Sequence, residues 1–393
     1  MLNRLLRPLK SDSFFLFGAR GTGKTTFLNS FFKEQNQIYI DLLSADDEDK
    51  FSSNPDALEA IAQGNPNTQW IIIDEIQKAP KLLDIVHKVI ETKDNKIKFA
   101  LTGSSARKLK KGAANLLAGR ALVNNLYPLT FLEMGKLFDL NQFLRWGGLP
   151  KITNTPLNEA KEEFLKSYAR TYLKEEIWAE HIIKELDPFR KFLEVAAQMN
   201  SEIINYSKIA KQIGSTPNSV KSYFEILEET LVATILDPYH TSIRKRIVES
   251  SKFYFFDLGV KRALGHTVSL EVMPGTYDYG KSFEHFIITQ IMALHSYYKK
   301  DYSFGYLKTK DGAEIDLIIE RPGMPLALIE IKSSTRVDTC ELNNLNKFAK
   351  DFKNAKAFCL CREKYPQKFD SVEILPWQEG IMTVLDIRPP LDF

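Results

Sequence analysis

The stretch Gly18-Ala19-Arg20-Gly21-Thr22-Gly23-Lys24-Thr25 constrains what this chain can fold into more than any other. It fits the phosphate-loop pattern G-x-x-x-x-G-K-[ST] at every fixed position. The apolar run Phe14-Phe15-Leu16-Phe17 predicts a buried strand entering the loop, and residues 26–32 predict a helix leaving it. Glycines at 18, 21 and 23 let the backbone wrap a polyphosphate with its N–H groups pointing inward. The helix N-terminus adds partial positive charge beneath the phosphates. Lys24 is expected to reach the β- and γ-phosphates, and Thr25 to hold Mg²⁺ through its hydroxyl. Residues Gly18 to Thr26 are thus the expected ATP cradle.

A second apolar strand, Trp70-Ile71-Ile72-Ile73, ends in Asp74-Glu75. Asp74 is expected to hold Mg²⁺ through its water shell, and Glu75, pointing to the other face, to polarise the attacking water. A third apolar strand, Lys98-Phe99-Ala100-Leu101, runs into Thr102-Gly103-Ser104-Ser105. In phosphate-loop ATPases of this kind a further strand lies between those two and its tip senses the γ-phosphate; Thr102 or Ser104 would play that part, with Ser104 favoured. Arg120, or Arg107, is the candidate arginine that completes a neighbour's site in a homo-oligomer by stabilising charge on the transferred phosphoryl group. A strand-like run through residues 126–129 follows Arg120, residues 36–41 supply a further strand, and Asp84 falls on a helix. Together these predict an α/β domain, an open, mostly parallel sheet flanked by helices, with the ligand at the carboxyl ends of the strands.

A chain of 393 residues holds two or three domains. The net charge of +3 supplies no global field for nucleic acid, so any such site is a local patch. The three cysteines, Cys340, Cys359 and Cys361, have neither metal spacing nor a disulfide framework, which suits a reducing cytoplasm. Cys359 and Cys361 alternate along an expected strand as core residues. The first residues carry no signal-peptide pattern, and no stretch is apolar for long enough to span a bilayer.

Between about Phe189 and Tyr239 the pattern is helical. A short helix from Tyr206 is closed by Gly214, and Thr216-Pro217 caps and opens the next, which runs through Val220, Tyr223, Phe224 and Leu227. Helix, glycine turn, helix is the helix-turn-helix arrangement, with Arg244-Lys245-Arg246 near the tip of a flanking strand pair. Asn218, Ser219, Lys221 and Ser222 could meet DNA, whereas Glu225, Glu228 and Glu229 would repel it, and a protein-packing role stays open. Arg145 either contacts nucleotide or packs on Trp146. Further on, Gly280-Lys281-Ser282-Phe283-Glu284 opens an apolar helix, followed by strands bearing Asp316 and Glu330-x-Lys332. Alternation puts Glu330 and Lys332 on one face, and two carboxylates with a lysine can hold Mg²⁺ and stabilise a charged phosphate. Glu284 would complete this possible nuclease site.

The segments at 18–25, 73–77 (Ile-Asp-Glu-Ile-Gln), 101–105 (Leu-Thr-Gly-Ser-Ser), 117–120 (Leu-Ala-Gly-Arg), 127–131 (Tyr-Pro-Leu-Thr-Phe) and 145–150 (Arg-Trp-Gly-Gly-Leu-Pro) occur in that order. A chain built this way resembles the bacterial and archaeal AAA-type ATPases whose C-terminal half is a domain of unknown function. The resemblance covers essentially the whole chain. It implies an ATPase domain, a winged-helix segment and a C-terminal domain resembling PD-(D/E)XK nucleases. The expected divisions are a P-loop ATPase core at 1–130, a helical lid or linker at 131–188, a winged helix at 189–262 and a nuclease-like α/β domain at 263–393. The leading functional expectation is ATP hydrolysis coupled to binding or remodelling of nucleic acid, with DNA favoured, possibly branched. A slow nucleotide-dependent signalling or defence switch and a Mg²⁺-dependent nuclease are the alternatives.

Overall fold

The computed structural model describes residues 2–92, 96–103, 117, 119–172, 186–240 and 250–388. Its contacts divide the chain into two compact units. One takes residues 4–127 with 226–232, and the other residues 1–3, 128–225 and 233–393.

The first unit is built on a parallel sheet of β1 (Ser13–Phe17), β2 (Gln37–Asp41), β3 (Trp70–Asp74), β4 (Lys98–Gly103) and β5 (Ala121–Asn125), in the order β2-β3-β4-β1-β5. Both β1 (SFFLF) and β3 (WIIID) are buried along their whole length, as strands covered on two faces must be. The register aligns Asp41 with Asp74 and Phe17 with both Gly103 and Asn125, so these residues share the carboxyl end of the sheet. Helix α1 (Lys24–Phe31) follows the loop after β1. Phe14, Phe32 and Trp70 pack together on one face, the last two with ring centroids 4.8 Å apart. Helices α2 (Ala45–Ser53), α3 (Ala57–Gly64) and α4 (Leu82–Glu91) contribute Phe51, Leu58 and Leu82 to a core shared with Ile71, Ile73 and Phe99. Asp84 lies on α4, exposed.

Two sequence expectations shift. Helix α1 begins at Lys24 rather than Thr26, because Gly23 takes a left-handed φ of 93° and turns the chain directly into the helix. The last strand occupies residues 121–125, not 126–129. Leu126 still donates its N–H to the Phe17 carbonyl at 2.7 Å, but Pro128 has no N–H to continue a ladder.

The second unit includes α5 (Leu140–Trp146) and α6 (Asn158–Ser167). Next come α7 (Leu186–Gln198), α8 (Tyr206–Ile213) and α9 (Pro217–Glu229), then β6 (Ala233–Leu236) paired antiparallel with β7 (Lys252–Phe255). Gly214 closes α8 in the left-handed conformation, and the Thr216 hydroxyl accepts the Ser219 N–H at the start of α9. The basic triplet Arg244 to Arg246 lies outside the described residues. Helix α10 (Leu258–Leu264) and the long α11 (Tyr277–Tyr297) lead into a mixed sheet. Its strands are β8 (Ser303–Lys308), β9 (Glu314–Glu320), β10 (Leu326–Ile331), β11 (Ala355–Cys361), β12 (Gln367–Phe369) and β13 (Val372–Pro376), ordered β12-β13-β11-β10-β9-β8. Helices α12 (Asn343–Asp351) and α13 (Trp377–Leu385) pack on it. Cys359 and Cys361 are fully buried on β11, as core residues. Among the described residues no helix is long and apolar enough to cross a membrane.

Candidate nucleotide site

The loop between β1 and α1 is held by its own backbone. A Cβ at Gly18 would stand 2.5 Å from the Leu126 carbonyl oxygen, so only glycine fits. Gly21 and Gly23 take φ values of 81° and 93°, open to glycine at little cost. Thr22 is buried, and its hydroxyl donates to the Ala19 carbonyl at 2.8 Å. The Lys24 side chain is also buried and donates to the Gly18 carbonyl at 2.8 Å, so the ammonium lies folded over the loop it would share with phosphates. Arg20, Thr25 and Thr26 are exposed.

The facing wall is β3. Asp74, 1 % exposed, is the hub of a hydroxyl cluster. Its Oδ2 accepts from Thr25 Oγ1 at 2.8 Å and from the Tyr39 hydroxyl at 2.5 Å, and its Oδ1 accepts from the Thr102 hydroxyl. The Thr102 oxygen accepts the Glu75 N–H at 2.9 Å, which ties the tip of β4 to the turn after β3. Burial and the Asp74 carboxylate push the Tyr39 hydroxyl well above the usual phenol range. Thr25 and Asp74 therefore bring a hydroxyl and a carboxylate oxygen together between loop and sheet, a hard oxygen pair of the kind Mg²⁺ takes.

Strand alternation does not set the direction of Glu75. The strand stops at Asp74, Glu75 adopts a left-handed φ of 62°, and its carboxylate accepts a hydrogen bond from Gln77 Nε2. Ser104 and Arg107 lie outside the described residues. Arg120 precedes β5, whose first residue is level with Ser13 at the amino end of the sheet, and its Nε pairs with Glu91. That ion pair holds the Glu91 carboxyl below the usual carboxylate range. The structure thus brings Gly18 to Thr25, Asp74 and Thr102 together and does not bring Arg120 to them. Two residues of the site carry no local sequence signal. Tyr39 reaches Asp74 only because β2 lies beside β3, and Arg4 donates to the carbonyls of Thr22 and Tyr127 at 2.7 and 2.6 Å.

In the second unit, Arg145 stacks on Trp146, its guanidinium 4.6 Å from the ring centre, and pairs with Glu271 at 3.2 Å. The predicted acidic residues also converge there. Asp316 on β9 accepts the Ile331 N–H at 2.8 Å, and Glu330 on β10 pairs with Lys332 at 3.0 Å. Burial and the carboxylates of Glu330 and Glu284 hold the Asp316 carboxyl well above its usual range. Glu284 on α11 accepts from the Tyr254 hydroxyl at 2.8 Å. The sequence did not mark Lys252 on β7, which lies 3.6 Å from Glu284 and pairs with Glu314. Among the described residues no group of three or more acids, histidines or cysteines is arranged to hold a metal ion. The predicted Glu284, Asp316, Glu330 and Lys332 thus share one cluster, with Lys252 and Glu314 beside them.

Residues 10–135 match the family model of an AAA domain. Residues 137–271 and 279–379 match two domains of unknown function, DUF8612 and DUF4143. An uncharacterized protein of Mycobacterium tuberculosis is 26% identical over 336 residues, covering 84% of this chain and 73% of its own. One from Methanocaldococcus jannaschii is 28% identical over 385 residues, covering 84% of this chain and 78% of its own. The solved structure of AMPPCP-bound DnaA from Aquifex aeolicus overlaps 56% of this chain and 83% of its own at 15% identity and a TM-score of 0.29, too slight a likeness to bear on mechanism. The loop, the acidic strand tip and the family match at residues 10–135 together support an AAA-type ATPase domain.

Proposed function

We propose that the chain binds ATP with Mg²⁺ at residues 18–26, hydrolyses it, and couples turnover to binding or remodelling of nucleic acid, DNA in particular. The observation that carries the catalytic part is the convergence of Lys24, Thr25 and Thr102 with Asp74 at the carboxyl end of one sheet. Thr25 and Asp74 would hold Mg²⁺, which when bound neutralises charge on the β- and γ-phosphate oxygens. Lys24 would exchange its hydrogen bond to Gly18 for phosphate oxygens. Glu75, released from Gln77, would accept a proton from the attacking water. Thr102 would keep Asp74 and the Glu75 backbone in register, and Arg120, released from Glu91, would serve a neighbouring copy in a homo-oligomer.

The coupling part is supported by the second unit. Helices α7 to α9 followed by the β6–β7 pair have the element order of a winged helix, and α8 and α9 expose Lys208, Lys211, Asn218 and Lys221. Four lysine or polar contacts of this kind meet phosphates, and their signature is affinity that falls as salt rises. The domain divisions at 130, 188 and 262 belong to this reading.

The test is ATP turnover by the full chain with and without branched, single-stranded and duplex DNA. Turnover that rises with DNA, DNA binding with a negative salt slope, and a fall of at least about 100-fold in Glu75→Gln with ATP still bound are the expected results. Turnover and binding that ignore every DNA would remove the coupling, and unchanged turnover in Glu75→Gln would remove the assigned base.

A further inference from the structure

We infer that the ammonium of Lys252 fills the cation position of the acidic cluster in the C-terminal sheet, so that the cluster is closed to a divalent metal ion and this half of the chain does not cut nucleic acid. The consequence for cutting rests on the nuclease-like reading proposed above; the closure by Lys252 stands without it.

Lys252 is the first residue of β7 and is 2 % exposed. Its backbone is fixed from two sides, paired with Leu236 on β6 and bridged to Ile203. The side chain has one direction to run, into the acids. Its Nζ pairs with Glu314 and lies 3.6 Å from Glu284 Oε1, with the Tyr306 ring centre 5.3 Å away. A buried ammonium is normally driven neutral by desolvation. Here the carboxylates of Glu314 and Glu284 stand beside the ammonium and supply the opposite charge. The lysine thus occupies the space between two acids from different elements.

Every carboxylate that a metal ion would need already has a partner from the chain. Glu284 takes the Tyr254 hydroxyl at 2.8 Å on one oxygen and Lys281 at 3.3 Å on the other. Glu314 is shared between Lys252 and Lys308, the latter at 3.0 Å. Asp316 takes the Ile331 N–H, and Glu330 is paired with Lys332, which reaches Glu341 at 3.1 Å. Lysine supplies three donors from one point charge, which suits carboxylates arriving from α11 and β9. A divalent ion brought to the same place would meet the ammonium at short range, in a buried setting that screens the repulsion weakly. The cluster reads as a neutralised junction that ties β7 to α11 and β9.

The experiment is Mn²⁺ binding to the full chain without nucleotide, followed by electron paramagnetic resonance of the free ion. The expected result is that the unmodified chain and Asp316→Asn bind Mn²⁺ alike. Lys252→Ala and Lys252→Met should each gain one site per chain, at least tenfold tighter than any in the unmodified protein. Asp316→Asn added to either should remove that site, and Mn²⁺ should raise the melting temperature of the Lys252 variants only. Binding in the unmodified chain that Asp316→Asn abolishes would overturn the inference, as would folded Lys252 variants that gain no site. Should neither Lys252 variant fold, the comparison of the unmodified chain with Asp316→Asn still decides. The differences between variants do not pass through the phosphate loop, so they stand or fall separately from ATP hydrolysis.

Discussion

Asp74 shows how much of a site one residue can organise. Its two oxygens accept from Thr25, Tyr39 and Thr102, which come from the first turn of α1 and two different strands. Hydrogen bonds to a charged group contribute about 1.5–3 kcal/mol each, and a buried carboxylate that loses a donor keeps its desolvation cost. Tyr39→Phe is therefore predicted to lower stability by about 1.5 kcal/mol, read from urea denaturation, while Tyr365→Phe, exposed on the other unit, serves as the control. An unchanged midpoint in Tyr39→Phe would show that the phenol does not support Asp74. The sequence disclosed the parts of this hub that are contiguous, namely Lys24 and Thr25 in the loop and Asp74 at a strand tip. It disclosed Thr102 as one of two candidates. It could not disclose Tyr39, Arg4 or Lys252, because nothing near them in the chain marks them. Only the neighbour order of strands puts Tyr39 against Asp74, and only the β6–β7 pairing aims Lys252 at Glu284.

At the scale of elements, the segment Arg145 to Pro150 is readable once α5 and α10 are seen together. Asp257 caps α10 through the Val260 N–H at 3.0 Å and also accepts the Gly148 N–H at 2.7 Å, so one carboxylate fastens the loop to the helix start. Gly259 lies where a Cβ would come within 2.1 Å of the Trp146 carbonyl oxygen. That neighbour is backbone and cannot swing aside. Gly259→Ala is predicted to destabilise the protein by about 2 kcal/mol or more, seen as a lowered urea midpoint. A variant as stable as the parent would mean that the two helices are not in close contact. The paired glycines were visible in the sequence, but their reason was not, since the partner Asp257 is 109 residues away. Helix starts and stops were easier to read, because caps are local: Gly214 ends α8 and Thr216 opens α9 where their chemistry places them.

At the scale of the whole molecule, stability should depend on pH through a buried histidine. His285 accepts from Asn200 Nδ2 at 3.0 Å and donates to the Phe255 carbonyl at 2.6 Å, and burial lowers its pKa from 6.5 to about 3. The folded chain thus keeps the ring neutral, while the unfolded chain takes up a proton below pH 6.5. The stabilisation is complete above that value and is lost as pH falls, by about 2 kcal/mol at pH 5. Asp257 has the opposite sign: burial raises it to about 6, so the folded chain holds its proton where the unfolded chain has released it. Acidification toward pH 5 therefore gains stability through Asp257. This opposing contribution is common to parent and variant. The parent should lose about 2 kcal/mol more than His285→Gln between pH 7.5 and pH 5, by urea denaturation. Equal losses would show that the imidazole titrates normally.

The central claim is that the glycine loop and the acidic strand tip of one sheet grip a nucleoside triphosphate. Calorimetric titration of the full chain with Mg-ATP tests it most directly. One site per chain is predicted, with the heat abolished in Lys24→Ala while the variant's melting curve stays that of a folded protein. A folded parent that gives no heat with Mg-ATP, or a Lys24→Ala variant that binds as the parent does, would contradict it.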